Sequence, residues 1–365
     1  MTDDDDVFTR WKRGDWQACL PHAALHQAQT KATLENIHLA LQIKHAIDGF
    51  SVNDLVTFHD MLNPLSEHVR WSRAVLRLLC AHLQLENPDS AHDIVLRFLT
   101  GRCPLVRTRT LQRFPLALQF LIEHYPEKLS LLHWRKAEQA VQLADQIDRF
   151  DSQLIKGLCN DNTQNERKQT VAIVGNGPSL LNKTNGQFID CHDVVIRFNN
   201  PVITENYQRY TGQRTDLLII SPDQVKKSGR RCIKALAISG INILQGESGY
   251  WTRLVGLHSY LKLAVFDQAN WYSLVKELKA PPSAGLLAIS SLAGQKNLEI
   301  SVFGFTKDDG GASDLGNTPG SESGSTDGAH YGDTQVASTR HNWPAEAAMV
   351  RQLVDNALSL SRSTD

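Results

Sequence analysis

Apolar positions in the first 150 residues recur at three- and four-residue spacing. Leu34, Ile37 and Leu41 share one helical face, and Val75, Leu76, Leu79 and Leu83 share another. Further helical stretches are predicted over 94–99, 111–122 and 131–147, set apart by turn signals at Asn63-Pro64, Asn87-Pro88, Gly101 and Tyr125-Pro126. This pattern predicts an all-helical domain of stacked helical hairpins. Such hairpins can form a repeat array, although no signature residue recurs at a fixed period.

The rhythm changes after the polar stretch 160–169, NDNTQNERKQ. Short β-branched runs now alternate with helical segments, at Val171–Val174, Val194–Phe198, Leu217–Ile220, Ile241–Leu244 and Ile300–Phe303. Continuous apolar runs of this length, with helices between them, predict a mainly parallel sheet covered on both faces. The expected organisation is therefore an all-α domain over 1–160 and an α/β, Rossmann-like domain over 161–365. Ligands on such a sheet bind beyond the carboxyl ends of its strands.

A chain of 365 residues is long enough for two cores. Its net charge of -1 gives no general pull toward nucleic acid or anionic lipid, so partners must be argued from sites. The start, MTDDDDVFTRWKRGDW, lacks the basic leader and apolar run of a signal peptide, and no run elsewhere is long enough to span a bilayer. A cytoplasmic location is the expectation. The six cysteines have no CxxC pair or ligand spacing, which argues against a zinc site or a disulfide framework.

Three segments carry candidate chemistry. In the first, a strand runs into Gly175-Asn176-Gly177-Pro178-Ser179, where glycines allow a sharp turn that presents N–H groups, and Pro178 suits a helix start. It reads either as an anion site for a phosphate or as an ordinary strand-to-helix turn. The third glycine of a dinucleotide fingerprint is absent, and Asn199, not an acidic residue, ends the next strand. In the second, Pro281-Pro282-Ser283-Ala284-Gly285 opens an apolar helix; Ser283 is either a helix cap or part of a pocket wall. In the third, the tail, His330-Tyr331-Gly332-Asp333 and His341-Asn342-Trp343-Pro344-Ala345-Glu346 follow a loose Gly- and Ser-rich stretch. A single histidine reads as structural or solvated as readily as catalytic. His341 and Glu346 are five apart with a proline between them, which does not suit a helical metal pair, and Pro344 sets His341 just before a helix.

Taken in order, these segments resemble the sialylmotifs of the sialyltransferase family over roughly 168–360. VAIVGNGPSL through DVVIRFNN is similar to the large motif, with Asn176, the Ile189-Asp190 pair and Arg197 to Asn199 at its marked positions. Tyr210 to Thr215 resembles the stretch that follows it. PPSAG with VFGF resembles the small motif, HYGD the third, and HNWPAE the H-x4-E motif. The resemblance implies an inverting, metal-independent glycosyltransferase with a variant nucleotide-sugar transferase fold, no cofactor, a CMP-sugar donor and a glycan acceptor. It implies that His341 is the general base and that His330 bonds the departing phosphate. Asn176, Gly177, Ser179 and Asn199 would hold the nucleotide, and Ser283, Ala284 and Gly285 would line the cytidine or sugar-carboxylate pocket. Glu346 would orient its helix start.

The sequence departs from membrane-anchored members in one respect. No cysteine stands at the start of the large motif or within PPSAGLLAISSLAG, where those members carry a bridging disulfide. That fits a reducing compartment and a soluble, bacterial-type member acting in surface polysaccharide synthesis, peripheral to a membrane or to other synthesis enzymes through its helical half. CMP-Kdo, another CMP-linked ulosonic acid, is the alternative donor. A non-catalytic nucleotide-binding module with a helical interaction surface is the alternative of another class. The stretch 307–329 reads as a lid or as a plain linker.

Overall fold

A computed structural model gives the fold and describes residues 6–16, 19–65, 72–99, 108–111, 113–129, 143, 146–159, 167–222, 224, 233–241, 247, 251–305 and 340–362. The chain forms two compact units, Met1–Ile147 with Ile241–Ser259, and Asp148–Gly240 with Tyr260–Asp365.

In the first unit, helices form where caps and apolar stripes agree. Thr33, Ser51 and Ser72 each accept a hydrogen bond from the N–H three residues on, opening Leu34–Ile47, Val52–Leu62 and Arg73–Gln84. Asp54 returns the bond to the Ser51 backbone and completes a capping box. Arg73–Gln84 is buried from Ala74 to His82, and its neighbours pack around it. Pro115 opens a helix of its own, so the stretch expected over 111–122 is two helices, Thr108–Leu111 and Pro115–His124. The stretch expected over 131–147 lies almost wholly outside the described residues. This unit also buries His38, His45 and His82. Burial pushes their imidazoles down to about 3, 3 and 4, so they are neutral at pH 7.

The second unit is a seven-stranded sheet in which every adjacent pair is parallel. Its strands are β1 (Asp148–Arg149), β2 (Gln169–Val174), β3 (Val194–Phe198), β4 (Leu217–Ile220), β5 (Ala235–Ile238), β6 (Lys262–Val265) and β7 (Leu298–Phe303). Every residue of β3, β4 and β5 is buried, as expected for a sheet covered on both faces. The order β1-β6-β5-β4-β3-β2-β7 steps steadily away from β2 up to β6, and then returns to the other side of β2 with β7. The direction of winding therefore reverses between β2 and β7, and an open α/β sheet binds ligands at the carboxyl ends beside such a reversal.

Two sequence expectations differ from this fold. The strand expected over Ile241–Leu244 is Ala235–Ile238 instead, while Ile241 sits in a bend and 242–246 lie outside the described residues. Alanines at alternate positions of β5 weaken its β-branched signal, although burial on both faces suits them. The sheet unit also begins before residue 161, because β1 pairs with β6 and the Phe150 N–H donates to the Val265 carbonyl.

Candidate active site

The glycine turn after β2 meets the end of β7. The Gly175 N–H donates to the Phe303 carbonyl at 2.8 Å, and the Gly177 N–H donates to the Gly304 carbonyl at 3.2 Å. A Cβ on Gly177 would stand 2.4 Å from the Gly304 oxygen, and one on Gly175 would stand 2.8 Å from it. Close approach of two strand ends therefore requires glycine here, and it engages both glycine N–H groups. This corrects the reading of those two N–H groups as a phosphate cradle. Pro178 begins a short 3-10 segment, Pro178–Asn182, so the turn does not open directly into an α-helix whose dipole would face an anion.

The turn offers side chains instead. Asn176 Nδ2 donates to the Phe198 carbonyl at 3.1 Å, which fixes the amide and leaves Oδ1 as an acceptor. That Oδ1 and Ser179 Oγ are buried without a hydrogen-bond partner among the described residues. Buried polar atoms of this kind call for a ligand or an ordered water.

The rest of the large-motif resemblance is a latch made with backbone groups. Arg197, fully buried in β3, donates to the carbonyls of Arg214 (2.8 Å) and Thr211 (2.5 Å). Asp190 accepts the backbone N–H groups of Gln213 and Arg214. Arg214 donates to the carbonyls of Asp190, His192 and Asp193 and to the Asp216 carboxylate. Asn199 follows β3 at a φ of 51, and its Oδ1 accepts the Ser221 N–H at 3.0 Å, tying the carboxyl ends of β3 and β4 together.

The small-motif loop carries the tail. Ser283 caps the helix Ala284–Leu292, accepting the Leu286 N–H at 3.2 Å, so Ser283 and Ala284 form the helix start. The Ser283 N–H donates to Glu346 Oε1 at 2.8 Å, and His341 Nδ1 lies 2.8 Å from the Pro281 carbonyl. A carbonyl only accepts, so Nδ1 carries the proton and Nε2 keeps its lone pair. Asn342 Nδ2 donates to the Leu278 carbonyl, and the Trp343 ring packs edge-on at 4.9 Å from the His341 ring. Burial lowers the His341 pKa below its ordinary value. Burial also pushes Glu346, 1 % exposed, up to about 7. At 3.7 Å from Nδ1, Glu346 is a neighbour and not a hydrogen-bond partner of His341.

Phe305 joins the two motif regions, a role absent from the sequence reading. Its ring lies between Gly175 and Gly285; an added Cβ would stand 2.9 Å from Cε2 on one side and 2.3 Å from Cε1 on the other. The Phe198 ring packs edge-on at 5.9 Å. The signal was present in VFGF, whose last residue stands two places beyond the end of β7. A continuous series of contacts thus runs from Gly175 through Phe305 to Gly285, and from Ser283 through Glu346 to the helix that His341 precedes. His330 and the stretch 307–329 lie outside the described residues.

Residues 112–239 match the family model of glycosyltransferase family 29 (sialyltransferase). The beta-1,6-galactosyltransferase GALT29A of Arabidopsis thaliana is 39% identical over 66 residues, 18% of this chain and 16% of the relative. A type 2 lactosamine alpha-2,3-sialyltransferase of Homo sapiens is 33% identical over 102 residues, 28% of this chain and 26% of the relative. The chain thus spans between a sixth and about a quarter of the length of these curated relatives. Among solved structures, a mammalian sialyltransferase in complex with Gal-beta-1-3GalNAc-ortho-nitrophenol aligns over 70% of this chain and 85% of its own, with a TM-score of 0.41 and 19% identity. Through the family model and these relatives together, the chain is recognised as similar to the sialyltransferases of glycosyltransferase family 29.

Proposed function

We propose that this protein is an inverting, metal-independent glycosyltransferase that moves sialic acid from CMP-sialic acid to a glycan hydroxyl. The observation that carries this reading is the state of His341: the Pro281 carbonyl takes its Nδ1–H, and burial keeps the ring neutral near pH 7. A neutral imidazole with Nε2 available is a general base matched to that pH. The acceptor hydroxyl gives its proton to Nε2 as its oxygen bonds to the anomeric carbon. The bond from that carbon to the CMP phosphate oxygen breaks, and its electron pair leaves with the phosphate.

The unpartnered atoms of the glycine turn support a nucleotide at the β2–β7 reversal. Asn176 Oδ1 only accepts, so it suits a ribose hydroxyl or the cytosine amino group, whereas Ser179 Oγ can donate to phosphate. In this reading Asn176 holds the nucleoside part of the donor and Ser179 the phosphate.

The test is donor-dependent CMP release in the presence of EDTA, from CMP-sialic acid and CMP-Kdo separately, comparing wild type with His341→Ala. Release from CMP-sialic acid that falls at least about 100-fold in the variant, with CMP affinity nearly unchanged, is the expected result. Release from CMP-Kdo alone changes the donor. UDP-galactose, with UDP release as the readout, is a third donor to test, because one relative is a galactosyltransferase. Near-normal turnover by the variant overturns the role of His341, and neither release nor CMP binding by wild type favours a non-catalytic module.

A further inference from the structure

The loop 279–283 of the sheet unit joins the helix Gln268–Leu278 to the helix Ala284–Leu292, and three side chains of the tail hold it and its entrance. Asn342 Nδ2 donates to the Leu278 carbonyl at 2.9 Å, and His341 Nδ1 donates to the Pro281 carbonyl at 2.8 Å. The Ser283 N–H donates to Glu346 Oε1 at 2.8 Å. His341 and Glu346 already have roles at this loop, and Asn342 has none.

Asn342 stands where two helix ends meet. Leu278 is the last residue of its helix, so its carbonyl has no donor within that helix, and Lys279 then turns the chain at a φ of 54, in the left-handed region. On the other side, Asn342 precedes the helix Trp343–Arg362, and its own carbonyl accepts the Glu346 N–H at 2.9 Å. Its Oδ1 accepts the Ala345 N–H at 3.4 Å. Pro344 has no N–H to give, so the side-chain cap acts at Ala345. An amide supplies both the acceptor for one helix and the donor for the other, whereas a carboxylate of the same size only accepts.

Two adjacent side chains thus hold two carbonyls three residues apart, at Leu278 and Pro281. The backbone that carries the imidazole is pinned beside the carbonyl that takes its Nδ1 proton. Without that pin the ring can leave the carbonyl, and the proton is then free to sit on Nε2, where it occupies the lone pair a base needs.

We propose that Asn342 is a positioning residue for the transfer reaction: by bridging the two helix ends it holds His341 against the Pro281 carbonyl and so keeps Nε2 unprotonated. The proposal rests on the reading of His341 as the general base.

The experiment compares the full-length protein with Asn342→Asp and Asn342→Ser. It measures transfer kinetics from the donor found active, CMP affinity, and the nitrogen chemical shifts of isotope-labelled histidine, with the His341 signals assigned by their loss in His341→Ala. Asn342→Asp keeps the cap for the Ala345 N–H but sets an acceptor against the Leu278 carbonyl. Asn342→Ser also keeps a capping oxygen, stops one bond short of that carbonyl and adds no charge, so it reads the proposal if the carboxylate disturbs the fold. In both variants kcat is expected to fall about tenfold while KM and CMP affinity change less than about threefold. The His341 shifts are expected to move from the Nδ1–H pattern to a mixture of tautomers. Loss of a merely structural contact leaves the tautomer where it is, so an unchanged tautomer in a folded variant overturns the proposal. A mixed tautomer with kcat within about threefold of wild type overturns it as well. Wild type that transfers nothing, or that carries its proton on Nε2, overturns the base reading of His341 and this proposal together.

Discussion

The two units partner their charged groups in different ways. In the sheet unit, Arg197, Arg214 and Asp190 bond chiefly to backbone groups within 24 residues of themselves. In the helical unit, Arg73 and Arg77 are met by a carboxylate 174 and 170 residues further along. Backbone partners arrive with the local fold, so the first arrangement completes itself. The second is complete only when a distant segment, Ile241–Ser259 of the same unit, has been delivered.

That contrast can be broken most forcefully at Glu247. Glu247→Ala is expected to cost about 3 kcal/mol, because the buried Arg77 guanidinium, 2.9 Å from the Glu247 carboxylate, loses its counter-charge, while the half-exposed Arg73 and Arg113 add little. Calorimetry of the full chain should show the loss in the transition of the helical unit; a loss confined to the transition of the sheet unit would reverse the comparison.

Acid should act on the same unit. His38, His45 and His82 are held far below the ordinary histidine value when folded, so the unfolded chain binds more protons below about pH 6.5. Stability conferred by their neutral burial is fully present above that pH and is lost as pH falls toward 4. Lowering the pH from 7 to 5.5 is expected to cost about 1 kcal/mol for each histidine. The expected measurement is a denaturant midpoint for the helical unit that falls more steeply with acid than that of the sheet unit.

In the sheet unit, Gly177→Ala places a methyl group against the Gly304 carbonyl and is expected to cost about 1–3 kcal/mol, with CMP affinity falling in a titration. A pH-dependent effect is expected at Glu346. Its pKa is raised by burial, so its contribution is fully present below the unfolded carboxyl value and is lost as pH rises through about 7. Glu346→Gln keeps an acceptor for the Ser283 N–H and should flatten the stability profile between pH 5 and 8, by about 2 kcal/mol. A profile as steep as that of wild type would assign the slope to another group.

What the sequence revealed follows the same division between local and distant partners. Strands β3 and β4 were legible to the residue, because runs rich in β-branched residues or leucine stand between an Asp before and an Asn or Ser after. The all-helical character of the first unit was legible from its periodicity and caps. Strand β5 was not, because Ala-Leu-Ala-Ile reads as poorly β-forming until two neighbouring strands and two covered faces are supplied. The tail was read correctly as a helix opening behind His341, but the bond that sets the imidazole tautomer depends on a carbonyl 60 residues earlier. The glycine turn was visible as a turn, while the destination of its N–H groups depended on β7, more than 120 residues later. Glu247 looked like any charge in a polar loop, since nothing in its neighbours shows that three arginines surround it.

The interleaving of the two units has a consequence for the order in which the protein matures. Arg73, Arg77 and Arg113 leave the ribosome well before Glu247 does, and at about 5–20 residues per second the interval from Arg113 is on the order of ten seconds. During that time the nascent helices carry a cluster of guanidiniums without its counter-charge, and β2 to β5 can already pair. The half of the molecule that is made first is therefore closed only after synthesis has passed through most of the sheet.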